Sequence, residues 1–187
     1  MTQTIYYLPG YGGLLNTGLG QTLVVLGHDV KGRETVGEFR ELGFARQVQT
    51  IASDLRDHFW HEDARVIANS FGAYLFLHAQ ALLGDPYIGK VLLLSPIVGE
   101  FSNEETLMNF VPPQSEKLFE LAKVGKFPTP LRCEIHTGSD DCQSHPKNVA
   151  DFGKSVGIPV DVLQGASHKL PKTYVALLVG RLLQPDL

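Results

Sequence analysis

Six short runs rich in β-branched and aromatic residues, at positions 4–8, 28–31, 64–68, 90–95, 131–136 and 160–164, alternate along this chain with longer segments of helical period. That alternation predicts an α/β fold with a mostly parallel central sheet of about six strands flanked by helices. Helices are expected at 14–26, 44–59, 72–83, 114–124 and 172–183. In the second of these, Phe44, Val48, Ile51, Leu55 and Phe59 recur at helical spacing. The third is apolar nearly all round, which a helix buried on every side requires. Gly27 is placed to end the first helix as its C′ residue. Residues 99–130 hold two proline clusters around one short helix and are the only room for an insertion over the sheet, so a minimal lid or none is expected.

A length of 187 residues fits one domain with a single well-developed core, spanning 1–187. Charged residues make up 19% of the chain and the net charge is −4, so there is no electrostatic footprint for nucleic acid or anionic membranes. No basic segment followed by a long apolar one opens the chain, and no stretch approaches the ~20 apolar residues of a membrane span. A cytoplasmic location is the expectation. Cys133 and Cys142 have neither the paired spacing of a zinc site nor the context of a disulfide framework, and both are expected as free thiols.

Residues 65–73 read Arg-Val-Ile-Ala-Asn-Ser-Phe-Gly-Ala and place Ser70 between an apolar strand and an apolar helix. Small residues stand two positions before it, Ala68, and two after it, Gly72. A strand that turns sharply into a helix crowds those two positions, so both must be small. The helix N-terminus beneath Ser70 would aim backbone N–H groups at the reacting centre. The segment resembles the nucleophile elbow of the α/β-hydrolase superfamily, Gly-x-Ser-x-Gly, with Ala68 in place of the first glycine. Taken alone, Ser70 could equally be a helix N-cap.

Two further segments carry the same resemblance. Residues 131–141 form a strand candidate running into a turn with two adjacent acids, Asp140 and Asp141. The superfamily's acid loop has Gly-x-x-Asp after the strand, which counted from Gly138 selects Asp141, whereas Asp140 fits a shifted loop. Residues 160–170 end the last strand candidate in Gly165-Ala-Ser-His168, similar to the superfamily's Gly-x-Gly-His with Ser167 at the second glycine. The order Ser70, Asp141, His168 is that of α/β-hydrolases, each residue following a different strand at its C-terminal end. Among the other histidines, His28, His58, His61 and His145 read as solvated loop or helix-end residues. His78 reads as a hydrogen-bonded core histidine and His136 as a strand-end residue near the acid.

Tyr6-Tyr-Leu-Pro-Gly-Tyr-Gly-Gly-Leu14 resembles the superfamily's His-Gly loop, with Pro9 in the histidine position. The resemblance implies the backbone N–H groups of Tyr11 and Phe71 as the oxyanion hole, with Gly12 allowing close approach of a ligand. A dinucleotide loop is the rival reading, but Gly10-Tyr-Gly-Gly-Leu-Leu15 lacks the third glycine of Gly-x-Gly-x-x-Gly and no Gly-Lys-Ser/Thr follows. Phe71, Phe101, Met108, Phe110 and Val111 are an acyl-pocket set, although such a stripe is more often plain core.

The implied activity is that of a serine hydrolase on a small-molecule carboxylic ester or thioester, with neither metal nor organic cofactor. The same fold and triad also run acyltransfer, lyase and perhydrolase chemistry, and relatives of this size serve as non-catalytic interaction proteins. Nothing in the sequence sets the oligomeric state.

Overall fold

A computed structural model describes residues 2–103 and 108–184, without the side chains of Asn103 and Met108. The elements run β1 (Thr4–Leu8), α1 (Gly18–Val25), β2 (Asp29–Gly32), α2 (Gly37–Glu41), α3 (Phe44–His58), β3 (Arg65–Asn69), α4 (Phe71–Leu83), β4 (Lys90–Leu94), β5 (Phe101–Asn103), β6 (Met108–Phe110), α5 (Lys117–Lys123), β7 (Arg132–Gly138), α6 (Pro146–Val156), β8 (Val160–Leu163) and α7 (Lys172–Leu183). Six strands form one sheet in the order β2-β1-β3-β4-β7-β8, and every neighbouring pair is parallel. All six strand positions expected from the sequence are in it.

The central strands β1, β3 and β4 are mostly apolar because both sheet faces are covered there, while the edge strands β2 and β8 are only partly buried. Tyr6 and Leu8 of β1, Val66 and Ala68 of β3, and Val91 and Leu93 of β4 enter a core closed by α3, α4, α5 and α6. The alternate residues Ile5, Tyr7, Ile67, Leu92 and Leu94 enter a second core closed by α1 and α7. This period of two with both faces buried is what a doubly covered parallel sheet requires. Helix α4 is buried from Phe71 through Gln80, in agreement with its all-round apolar sequence. In α3, Val48, Ile51 and Leu55 are buried, and Phe44 and Phe59 pack against the same core.

Four features differ from the sequence expectation, the first being the short helix α2 at Gly37–Glu41, which has no buried residue to mark it. Helix α1 starts only at Gly18, capped by Thr17, because residues ahead of it turn and the backbone of Leu15 folds back onto Gly20; a Cβ there would lie 2.0 Å from the Leu15 carbonyl oxygen. Its end is as expected, with Gly27 in the left-handed conformation beyond Leu26. Helix α6 was not expected. It has Pro146 at its first turn and Gly157 as a left-handed cap, but its apolar stripe is narrow, with only Val149, Phe152 and Gly153 buried. The stretch over the sheet carries a two-stranded antiparallel hairpin, β5–β6, besides α5.

The sheet order reverses direction at β1: its first crossover leads outward to β2, and the next places β3 on its other side. Loops at the carboxyl ends of β1 and β3 therefore diverge and leave a crevice, the place where open α/β sheets hold their ligands.

Candidate active site

Ser70 follows β3 directly and occupies φ 51°, ψ −120°, a conformation rare for a residue with a Cβ. Three hydrogen bonds fix it there. Its N–H donates to the Leu94 carbonyl at 2.9 Å, and its own carbonyl accepts from Tyr74 N–H at 3.2 Å and Ile97 N–H at 3.4 Å. The turn brings the start of α4 against the end of β1. A Cβ on Gly72 would lie 2.3 Å from the Leu8 carbonyl oxygen and 2.4 Å from that of Pro9, so the second residue after the serine has to be glycine. The crowding that restricts this position thus comes from β1 and not only from Ala68, which is itself fully buried beneath the turn.

His168 and Asp141 arrive from the ends of β8 and β7. His168 Nε2 lies 2.9 Å from Ser70 Oγ, and Nδ1 lies 2.9 Å from both carboxylate oxygens of Asp141. The Asp141 side chain is fully buried. Its Oδ1 accepts backbone N–H groups of Gln143 at 2.9 Å and Ser144 at 2.8 Å, and Thr137 Oγ1 donates to Oδ2 at 3.4 Å. These donors satisfy the buried carboxylate oxygens. A carboxylate accepts only, so Nδ1 carries the imidazole proton and Nε2 is left to accept from the serine hydroxyl. Asp140 is exposed; its carboxylate accepts from Ser139 Oγ and does not reach the histidine.

The loop Pro9–Gly13 closes over the serine. A Cβ on Gly10 would meet Ser70 Cβ at 3.3 Å and Ser70 Oγ at 3.7 Å, so the loop backbone rests against Ser70. Pro9 has no N–H. Gly10 N–H donates to Asn69 Oδ1 at 3.2 Å, Gly12 N–H to the Thr35 carbonyl at 3.3 Å, and Gly13 N–H to the Gly10 carbonyl at 2.9 Å and to Thr35 Oγ1 at 2.9 Å. Tyr11 N–H is the one donor of this loop with no acceptor among the described residues, and Phe71 N–H at the head of α4 has none either. The exposed Tyr11 ring packs edge-on to Phe71 at 5.8 Å between centroids, with the Arg40 guanidinium 4.5 Å above it.

The remaining predicted positions are dispersed. Gly12 has no atom within 4 Å of the place a Cβ would occupy, leaving open space at the loop. Phe101 is buried and packs on Phe110 across the hairpin at 6.0 Å, whereas Val111 is exposed. The side chain of Met108 lies outside the described residues. His78 is buried, but it is packed and not hydrogen-bonded as expected. Its Nε2 has no partner among the described residues, its ring lies edge-on to Phe44 and Tyr74, and burial, with Lys117 nearby, pushes its pKa down to about 4. His136 points away from the triad, toward α7, with Nδ1 2.8 Å from Tyr174 Oη and Nε2 3.4 Å from Glu134, whose carboxyl it holds below the usual range. Cys133 and Cys142 are free, and burial pushes the Cys133 thiol up. No helix among the described residues is long and apolar enough to cross a membrane.

Two cavities lie apart from this constellation. One of about 940 Å³ runs between β2 and α3, where Arg33 makes a bidentate pair with Asp54. The other, about 460 Å³, lies at the amino ends of β4 and β7. Neither is lined by Ser70, Asp141 or His168.

Asn69 and Thr35, which hold the loop over the serine, did not emerge from the sequence. Asn69 is the variable position of the elbow, and Thr35 sits in a polar connection with no motif around it.

No family model and no curated protein matches the chain. Solved structures do. Mouse alpha/beta hydrolase domain-containing protein 10 superposes with a TM-score of 0.66 at 17% identity, covering 95% of this chain and 87% of that one. A carboxylesterase of the thaumarchaeon Nitrososphaera gargenis gives 0.61 at 14%, over 97% and 90% of the two chains. A monoacylglycerol lipase of Paleococcus ferrophilus gives 0.61 at 14%, over 96% and 93%. Sheet order, elbow and these superpositions agree: the chain has the α/β-hydrolase fold.

Proposed function

We propose that this chain is a serine hydrolase, one catalytic domain across residues 1–187, that cleaves a small carboxylic ester or thioester through an acyl-enzyme. The observation that carries this reading is the unbroken relay from Ser70 Oγ through His168 to the buried Asp141, each step at 2.9 Å. His168 Nε2 takes the proton from Ser70 Oγ as the oxygen attacks the acyl carbonyl, and returns it to the leaving alcohol or thiol. Asp141 keeps the proton on Nδ1 and stabilises the imidazolium. The carbonyl oxygen, now negative, is held by Tyr11 N–H and Phe71 N–H, two donors with no acceptor among the described residues. Water, deprotonated by the same histidine, then attacks the acyl-enzyme and releases the acid.

Support for an ester substrate comes from the neighbouring structures, which include a carboxylesterase and a monoacylglycerol lipase. The short β5–β6 hairpin and the open space at Gly12 favour a small, accessible acyl group over a long buried one.

The test is labelling with a fluorophosphonate followed by mass spectrometry, together with hydrolysis of 4-nitrophenyl acetate. Covalent modification at Ser70, lost in both Ser70→Ala and His168→Ala, is the expected result. An unlabelled, inactive wild type that unfolds cooperatively would overturn the proposal.

A further inference from the structure

Gly10 is gripped at both of its backbone polar groups. Its N–H donates to Asn69 Oδ1 at 3.2 Å, and its carbonyl accepts from the hydroxyl of Thr35, a residue only 2% exposed. Both grips are themselves anchored. Asn69 Oδ1 also accepts from Tyr7 Oη at 3.1 Å, and the Thr35 backbone bonds the loop at both ends of its peptide, its N–H to the Gly13 carbonyl at 3.0 Å and its carbonyl to Gly12 N–H at 3.3 Å. The orientation of the Asn69 amide follows, because a backbone N–H can only donate and so must face the oxygen.

The Gly10 carbonyl and the Tyr11 N–H belong to one peptide unit. In a planar trans peptide the two point in opposite directions. A hydrogen bond that fixes the Gly10 oxygen therefore fixes where the Tyr11 hydrogen points, and that hydrogen has no acceptor among the described residues. The same backbone rests against the nucleophile, with a Gly10 Cβ position 3.3 Å from Ser70 Cβ. Asn69 sets how far the loop stands from the serine, and Thr35, together with the Gly13 N–H that also donates to the Gly10 carbonyl at 2.9 Å, sets its rotation.

We propose that Thr35 and Asn69 are positioning residues that clamp the Gly10–Tyr11 peptide and aim the Tyr11 N–H at the oxyanion of the reaction. This rests on the serine hydrolase reading above. Neither side chain touches the substrate; both act through the loop. Because the oxyanion donor works in the transition state and not on the bound ground state, loosening the clamp lowers kcat and leaves KM nearly alone. Misplacement by a fraction of an ångström to 1 Å corresponds to a loss on the order of 10- to 100-fold.

The experiment uses the full chain, with Thr35→Val, Thr35→Ser, Asn69→Ala and the Thr35→Val/Asn69→Ala double variant. Steady-state kinetics on 4-nitrophenyl acetate are paired with amide hydrogen exchange at Gly10, Gly12 and Gly13 by NMR. Valine keeps the shape of threonine without the hydroxyl, while serine keeps the hydroxyl. Expected are a kcat on the order of 10- to 100-fold lower for Thr35→Val and for Asn69→Ala, KM within about threefold, and recovery in Thr35→Ser. The double variant should lose less than the product of the single losses, since both grips serve one peptide. Gly10 exchange should accelerate in Asn69→Ala and Gly13 exchange in Thr35→Val, a change that reads the clamp without any turnover. A wild type that neither hydrolyses the ester nor labels at Ser70 overturns the hydrolase reading and the clamp's catalytic role with it. An active wild type whose Thr35→Val and Asn69→Ala variants exchange faster yet keep kcat within about twofold overturns the clamp alone, as would a Thr35→Ser as impaired as Thr35→Val.

Discussion

His168 Nδ1 stands equally close, 2.9 Å, to both carboxylate oxygens of Asp141. The carboxylate is not free to turn, because Gln143 and Ser144 N–H groups both hold Oδ1. In Asp141→Asn those two donors retain the amide oxygen at the Oδ1 position, which places the NH₂ where Oδ2 was. Nδ1 then faces an amide donor at the Oδ2 position and an Oδ1 already taken by two N–H groups, so the tautomer with its proton on Nε2 is favoured and Ser70 meets a donor in place of a base. The expected loss in kcat is on the order of 10⁴-fold with the fold intact. Asp140→Asn should stay within about twofold of wild type, and a result with the two positions exchanged would reassign the acid.

Gly72→Ala tests the elbow. The added methyl would sit 2.3 Å from the Leu8 carbonyl oxygen and 2.4 Å from that of Pro9, both backbone atoms of a buried strand end that cannot rotate aside. Either β1 or α4 has to move, at a cost of about 1–3 kcal/mol. Because β1 leads into the proposed oxyanion loop, kcat should fall further than stability alone explains. Urea unfolding beside initial rates separates the two, and an alanine variant with wild-type values of both would refute the close approach.

Stability should depend on pH through His78. Its pKa, ordinarily 6.5, is about 4 in the folded chain, chiefly because the ring is buried and secondarily because of Lys117. The group is depressed on folding, so the unfolded chain binds a proton that the folded chain refuses. Its contribution is therefore fully present above about pH 6.5 and is lost as pH falls toward 4. The shift corresponds to roughly 3 kcal/mol over that window. His78→Leu, similar in size and without a titrating group, should flatten the urea midpoint between pH 4 and 6.5 while leaving other pH effects in place. An unchanged slope would assign the acid sensitivity elsewhere.

How legible the chain was depends on what each feature asks of its residues. The central strands are visible because burial on both faces demands apolar runs such as residues 91–94, and the proposed triad is suggested where strand ends, small residues and chain order coincide at Ser70, Asp141 and His168. Helix α6 was harder to see because its stripe is short, with Val149, Phe152 and Val156 its only large apolar core contacts among Asn, Asp, Lys and Ser, and it contains Gly153, which is there because a Cβ would meet Val160 Cγ2 at 2.2 Å. Thr35 was hidden for a different reason. Its work consists of hydrogen bonds to a loop 22 to 25 residues away, a relation that no local pattern encodes. Asp141 lay between these cases, since the spacing from Gly138 favoured it, but its burial, its contact with His168 and the donors of Gln143 and Ser144, which separate it from the exposed Asp140, are not local to the sequence.

The strain at Ser70 can be measured by comparing two inactive variants. Ser70→Ala and Ser70→Gly both remove the bond to His168, so their difference isolates the backbone. Alanine keeps the Cβ that makes φ 51°, ψ −120° unfavourable, whereas glycine adopts that conformation freely. At an ordinary position glycine is the less stable of the pair by roughly 0.5–1 kcal/mol, because its unfolded chain has more freedom to lose. Relief of strain here works in the opposite direction and is worth about 1–3 kcal/mol. Ser70→Gly should therefore be more stable than Ser70→Ala by about 1 kcal/mol, read as a higher urea midpoint at unchanged slope. The sign decides the matter. A glycine variant less stable than alanine would mean that the three hydrogen bonds around Ser70 hold an unstrained turn, and that the fold pays nothing for exposing this oxygen at the head of α4.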